Sequence, residues 1–191
     1  MELYPLKFKP IYKEKIWGGN KLKTYFNRKL PTNKIGESWE VSTHKNGPSV
    51  VSNGPLTGQK LSSLLEKDSE KILGFKAKRF PLLFKFLDVN QKLSVQVHPD
   101  DEYARKIENE PGKTEMWYVL AAEPGAKLVY GLKKRTTKND LRRAIKNNNL
   151  KKHINEVKVN SGDIFFIPSG TVHSIKEGLL LAEIQQNSDT T

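Results

Sequence analysis

The stretch Gly162-Asp163-Ile164-Phe165-Phe166-Ile167-Pro168-Ser169-Gly170-Thr171-Val172-His173 decides how the rest of the chain is read. A tight turn at Gly162-Asp163 launches four apolar residues, enough for a short strand. Pro168 and Gly170 make a second turn, which delivers His173 to the start of the next strand. Glycine at both turns suits a backbone that bends sharply or takes positive φ.

Outward from this stretch, β-prone runs recur at 38–42, 49–51, 80–89, 92–98, 116–120, 154–159, 163–167 and 179–185. Helical patterns fill three connections. Leu61, Leu64, Leu65, Ile72 and Leu73 place a helix over 61–73, with Gly74 as its stop. Asp100 or Asp101 caps a short helix running to 110, and a third occupies 137–146, within an insertion near 137–150, with Leu141, Ala144 and Ile145 on one side. Residues 1–60, rich in Gly, Pro and Asn, read as irregular strands and turns. The expected architecture is mainly β: an antiparallel sandwich or barrel of the jelly-roll kind with a few short helical insertions, in one domain over 1–191.

Thirty-three Lys+Arg against 21 Asp+Glu give 191 residues a formal net charge of +12. The lysines are scattered, no basic stripe alternates with aromatics, and no zinc-finger, helix-turn-helix or RNA-recognition signature appears, so nucleic acid is not an expected partner. A positive field does steer small anions. The absence of cysteine excludes disulfides, thiolate metal sites and cysteine nucleophiles. No apolar run nears the ~18 residues of a membrane span, and Met1-Glu2-Leu3-Tyr4-Pro5 has no secretory h-region. A cytoplasmic protein with no membrane partner is expected.

Three points carry chemistry. In Lys92-Leu93-Ser94-Val95-Gln96-Val97-His98 the period-two alternation turns Leu93, Val95 and Val97 one way and Ser94, Gln96 and His98 the other, so Gln96 and His98 project from one face. Taken alone, that also fits an edge strand with surface side chains. In Gly112-Lys113-Thr114-Glu115-Met116-Trp117, Glu115 opens an apolar strand, where a carboxylate needs a cation or a partner such as Lys113. His173 is the third. Together Gln96, His98, Glu115 and His173 offer one amide oxygen, two imidazoles and a carboxylate, a set that suits Zn²⁺ and by ligand type also admits Mn²⁺, Co²⁺ or Fe²⁺.

The pattern Gly162, Pro168, Gly170, His173 matches the second motif of the cupin superfamily. With Lys15-Ile16-Trp17-Gly18-Gly19, Gly36-Glu37-Ser38-Trp39-Glu40, Phe84-Lys85, Leu93 to Asp100, Gly112 to Met116 and Pro168 to His173 in order, the chain resembles the type I mannose-6-phosphate isomerase family, in its short bacterial form. The resemblance implies a cupin jelly roll and one Zn²⁺ per chain on Gln96, His98, Glu115 and His173. It further implies Lys113 and Glu183 as catalytic residues, and Trp17, Lys85 and Ser94 lining a sugar-phosphate pocket. The implied reaction interconverts mannose 6-phosphate and fructose 6-phosphate through a cis-enediol. The alternative is a non-catalytic metal-binding cupin that senses a sugar phosphate. A monomer or weak homodimer is expected.

Two departures from the family stand out. The segment 99–114 stretches the first cupin motif between His98 and Glu115. The family's arginine after Ser188-Asp189-Thr190-Thr191 and its second jelly-roll domain do not appear, so the chain reads as an N-terminal portion of that architecture.

Overall fold

The computed structural model describes residues 4–191; Met1 to Leu3, part of the segment read for a leader, lie outside the described residues. Among the described residues the strands are β1 (Ile11–Gly19), β2 (Ile35–Val41), β3 (Leu82–Val89), β4 (Glu115–Ala122), β5 (Lys127–Leu132), β6 (Ile154–Lys158), β7 (Ile164–Ile167), β8 (His173–Ile175) and β9 (Leu179–Gln186). The helices are α1 (Lys21–Phe26), α2 (Leu61–Leu73), α3 (Asp101–Ile107) and α4 (Lys138–Lys146). Six strands form one antiparallel sheet in the order β1-β2-β3-β9-β4-β7, and three form a second, β6-β5-β8.

The main core lies between the two sheets. Leu87 and Val89 of β3, Trp117 and Val119 of β4, and Leu179 and Leu181 of β9 meet Leu128 of β5 and Ile175 of β8 there, all essentially inaccessible to water. Each fully buried aliphatic side chain contributes about 1.5–3 kcal/mol. On the opposite face of the larger sheet, α1 lays Leu22 against Ile35 and Leu180. This mainly β sandwich is the class expected, with α2 spanning 61–73 and Gly74 ending it at φ 81°. Within α2 the backbone leaves helical geometry at Asp68.

Three expectations are corrected. The helix after Asp100 ends at Ile107, not 110; α4 runs from its Thr137 cap to Lys146, as read. Its Ile145 is exposed rather than packed beside Ala144. Residues 92–98 form no ladder strand: they touch β8 at a single bridge, Gln96 to His173. Gln96 and His173 exchange both backbone bonds at 2.9 Å, while Ile175 O accepts from Leu93 N instead of from Ser94 N as a regular ladder requires. One extra residue is therefore accommodated at Ser94-Val95, a β-bulge. The bulge breaks the alternation. Leu93 packs on the main core, whereas Val95 and Val97 face solvent, 38% and 46% exposed.

Candidate metal centre and active-site cavity

The inner face of the larger sheet is laid out in rows. Trp39, Lys85, Glu183, Trp117 and Phe165 are successive cross-strand partners on β2, β3, β9, β4 and β7. One row along, Leu83, Gln185, Glu115 and Ile167 align; on the other side lie Glu37, Leu87, Leu181 and Val119. Alternation along β9 thus puts Leu179 and Leu181 in the core and Glu183 and Gln185 under the site.

Three local devices bring the donors together. The first is the excursion from Pro99 to Thr114. Asp100 caps α3 by accepting from Tyr103 N, and the chain returns where Lys113 N donates to Pro99 O at 3.0 Å. That return places Lys113 and Glu115 beside His98 although the sequence separates them. Gly112 permits it: a Cβ there would lie 2.5 Å from the backbone of Asp100 and Asp101. The second is the turn at Gly170, with φ 81°, whose N–H donates to His98 O at 2.8 Å. The third is the His173 ring itself. Its Nδ1 lies 2.8 Å from Thr171 O, so Nδ1–H donates there and Nε2 is turned to the cluster. Trp117 packs edge-on against this ring, 5.5 Å between centroids.

His98, Glu115 and His173 are all buried, with ligand atoms within 4.8 Å of one another. The two Nε2 atoms stand 3.2 Å apart; His173 Nε2 is 3.2 Å from Glu115 Oε1 and His98 Nε2 is 3.5 Å from Glu115 Oε2. A tetrahedral ion with bonds of about 2.0–2.1 Å spaces its ligand atoms about 3.3 Å apart, so these separations fit Zn²⁺. Neither Glu115 oxygen receives an aligned hydrogen bond, and buried carboxylates without one need a cation. Burial pushes the Glu115 carboxyl up, but the His98 contact and the charges of Lys113 and His173 hold it well below the usual carboxylate range. Burial pushes the His173 imidazole down, toward the neutral form that ligates metals. Gln96, partly buried, presents its side chain to the same cavity beside Lys113, and its bridge to His173 sets it next to the cluster.

This cavity, of about 370 Å³, is also lined by Trp17, Lys85, Ser94 and Glu183. The structure therefore brings all nine residues singled out in the sequence to one place: Glu115, His98 and His173 at the cluster, with Lys113 Nζ 3.0 Å from His98 Nε2 and 3.2 Å from Glu115 Oε2, and the others around the walls. Lys85 and Glu183 are buried and paired at 2.9 Å, and Trp117 Nε1 donates to Glu183 Oε2 at 2.7 Å. Burial opposes the Lys85 charge, yet Glu183 and Glu37 raise its pKa above the lysine norm.

Lys15, Glu37, Lys92, Asp189 and Thr191 line the cavity too and were not singled out from the sequence. Glu37 mirrors Glu183: Trp39 Nε1 donates to it at 2.7 Å and Lys15 pairs with it at 3.2 Å. Burial raises the Glu37 pKa, but the Lys85 and Lys15 charges and the Trp39 bond bring it to about 2. The signal for it was the one that exposed Glu115, a carboxylate inside an otherwise buried strand.

Two antiparallel sheets enclosing an inward-facing His–Glu–His cluster define a β-sandwich of the cupin type, with residues able to hold a metal ion. The model of the type I phosphomannose isomerase catalytic domain matches residues 5–124, and the chain belongs to that family. It is 47% identical over 192 residues to the mannose-6-phosphate isomerase ManA of Bacillus subtilis, covering 100% of this chain and 60% of the relative. The mannose-6-phosphate isomerase of Streptococcus mutans is 44% identical over 187 residues, covering 98% and 59%. The crystal structure of the Bacillus subtilis mannose 6-phosphate isomerase superposes with a TM-score of 0.93 at 42% identity, over 97% of this chain and 59% of that one. Phosphomannose isomerase from Salmonella typhimurium, at 16% identity, shares the fold with a TM-score of 0.75 over 97% of this chain and 68% of that one. The chain spans about 60% of the length of the curated relatives it matches. Among the described residues no helix is long and apolar enough to cross a membrane.

Proposed function

We propose that this chain carries the catalytic site of a zinc-dependent mannose-6-phosphate isomerase, which moves a proton between C1 and C2 of the open-chain sugar through a cis-enediol. The observation that carries the reading is the His98–Glu115–His173 cluster, spaced for a tetrahedral ion and in contact with Lys113, which lines a cavity walled by Lys85 and Glu183. Gln96, His98, Glu115 and His173 would hold the zinc. When bound it supplies Lewis acidity, stabilising negative charge that develops on the sugar oxygens.

The rest falls to the protein. Removing a proton from carbon α to a carbonyl needs a placed base and a second group that relays the oxygen-bound proton. Glu183 takes the carbon-bound proton from one carbon and returns it to the other. Its carboxylate is fixed by Lys85 on one oxygen and Trp117 on the other, so it sits in place before substrate arrives. Lys113, whose three donors swivel, carries the proton between O1 and O2. Trp17 closes one wall against water, and its carbonyl accepts from Asn90 N and Gln91 N, which fixes that wall to the end of β3.

The test is a coupled assay for fructose 6-phosphate formed from mannose 6-phosphate by the zinc-loaded chain. Turnover that disappears with a chelator and in His98→Ala supports the reading. A chain that binds zinc and sugar phosphate but turns nothing over transfers it to a sensing module. A chain that binds neither refutes both.

A further inference from the structure

One buried histidine stands outside the metal cluster. His44 is 4% exposed and lies in the turn from Ser42 to Ser49 that follows β2. The neck of this turn is closed where Ser42 N donates to Ser49 Oγ and Ser49 N to Ser42 O, both at 2.8 Å. Inside it, His44 N donates to Ser42 Oγ at 2.9 Å and Gly47 N to His44 O at 3.0 Å. The His44 ring packs edge-on against the Trp39 indole, 5.9 Å between centroids. Asn46 N donates to His44 Nδ1 at 3.2 Å, so Nδ1 is bare and the proton of the neutral ring sits on Nε2. Nε2 has no hydrogen-bond partner among the described residues; Glu110 Oε2 stands 4.0 Å from it, beyond bonding distance.

The turn clips the segment 187–189 in place. Thr43 Oγ1 accepts from Asn187 Nδ2 at 3.0 Å, and Asn46 Nδ2 donates to Asp189 Oδ2 at 3.3 Å. Asp189 lines the active-site cavity. Lys45 meanwhile reaches Glu110 at 2.7 Å, on the way back from α3. We propose that His44 is a positioning residue: its bare Nδ1 shapes the turn that holds Asp189 on the cavity wall, and a proton on Nδ1 releases it. The ring thus acts, through Asn46 and Asp189, on a wall that it does not line. This latch goes beyond the isomerase reading and does not depend on it.

Two effects of the second ring proton act in the same direction. Nδ1–H would confront the Asn46 N–H, donor against donor, so the bond that shapes the turn is lost. The charged ring would also be drawn by its Nε2 side toward Glu110, away from Asn46. The charged groups that face His44 are Glu110 and Asp189, which favour its protonation, and Lys45 and Arg79, which oppose it. Burial is the largest influence and sets the imidazole below its ordinary 6.5. The neutral, closed form therefore prevails at neutral pH. The stability that goes with it is whole above pH 6.5 and is lost as pH falls from there through the lower folded value.

The test follows the zinc-loaded chain from about pH 8 to about pH 5.5 by nuclear magnetic resonance, as wild type and as His44→Asn. An asparagine side chain accepts from the N–H two residues on, so it keeps the turn, and it does not titrate. In the wild type the His44 ring is expected to titrate below pH 6.5, with the Asn46 side-chain amide and Asp189 backbone amide signals moving at the same midpoint. In His44→Asn both signals hold their high-pH positions throughout. His44→Phe, which keeps a ring on Trp39 but offers no acceptor, sets them at their low-pH positions from the start. In the coupled assay, the wild-type KM for mannose 6-phosphate relative to that of His44→Asn rises about threefold over the range, as the loss of one exposed hydrogen bond implies, and the kcat ratio stays constant. His44 titrating while the Asn46 and Asp189 signals stay still overturns the proposal. So does His44→Asn reproducing the wild-type pH response, or a constant KM ratio in an active chain. A wild-type chain without turnover refutes the isomerase reading alone, because the resonances still decide the latch.

Discussion

Replacing Glu183 by Gln keeps the side chain's shape and removes one charge from a pair buried on the cavity face of the larger sheet. Glu183 and Lys85 are 3% and 6% exposed, and Lys85 Nζ lies 2.9 Å from Glu183 Oε1. At an effective dielectric constant near 20, unit charges at this separation attract by about 6 kcal/mol. The amide oxygen can still accept from Trp117, so that bond is not lost. Its NH₂ group then confronts the Lys85 ammonium, donor against donor. Removing one partner of a buried pair costs about 3–5 kcal/mol. Glu37, which also acts on Lys85, places the expected loss at the lower end, about 3 kcal/mol. With a urea m-value of about 2 kcal/mol/M the midpoint falls by about 1.5 M. A double-mutant cycle with Lys85→Met isolates the pair: the double variant should be more stable than the sum of the single losses by at least about 2 kcal/mol. Single losses that add within about 0.5 kcal/mol, or a midpoint shift under about 0.3 M, would refute the reasoning.

Further outcomes follow from other parts of the site. Glu37 has a folded pKa of about 2 against an ordinary 4.5, so its contribution, about 3 kcal/mol, is complete above pH 4.5 and is lost as pH falls toward 2; urea midpoints from pH 7 to 3 should drop, and Glu37→Gln should be less stable at pH 7 and flatter toward acid. Gly112→Ala forces a methyl to 2.5 Å from the backbone of Asp100 and Asp101, costing about 1–3 kcal/mol in melting experiments and weakening zinc binding by displacing Lys113 and Glu115. His173→Ala removes a cluster donor, so zinc per chain measured after dialysis should fall from one toward zero; in the wild type, free zinc at a hundredfold excess over its Kd should add about 2.7 kcal/mol of stability that a chelator abolishes. Thr137→Ala removes a capping box with Asp140 and should cost about 1 kcal/mol in stability while leaving zinc stoichiometry untouched.

Features with a local cause were legible in the sequence. The helix over 61–73 carries its own apolar stripe and its glycine stop, and the turns at Gly162 and Gly170 take the positive φ their glycines allow. Glu115 was legible as a carboxylate opening an apolar strand, His98 by its i, i+2 spacing with Gln96, and His173 by the glycine turn that delivers it. The features that were missed have causes elsewhere in the chain. The bulge at Ser94-Val95 arises from pairing with Ile175, which no neighbouring residue announces. The edge strand β1 carries Tyr12, Lys13, Glu14 and Lys15 in succession and has no apolar alternation, because only β2 flanks it. Glu37 becomes part of the site only through its nearness to Lys85 across the β2–β3 pairing.

The backbone bond from Lys113 N to Pro99 O, backed by Gly112 N donating to Asp101 Oδ1 at 2.9 Å, ties a neck around everything between them. Residues beyond that neck can change in number without altering where His98 and Glu115 sit, because the closure is made before the excursion begins and after it ends. Doubling such a loop costs only about 0.6 kcal/mol in closure entropy. The metal-facing geometry is thereby uncoupled from the length of the segment next to it. Selection can lengthen, shorten or re-clothe α3 and the turn after it, acquiring new rims for the cavity through insertion and deletion, while the reaction centre is inherited unchanged.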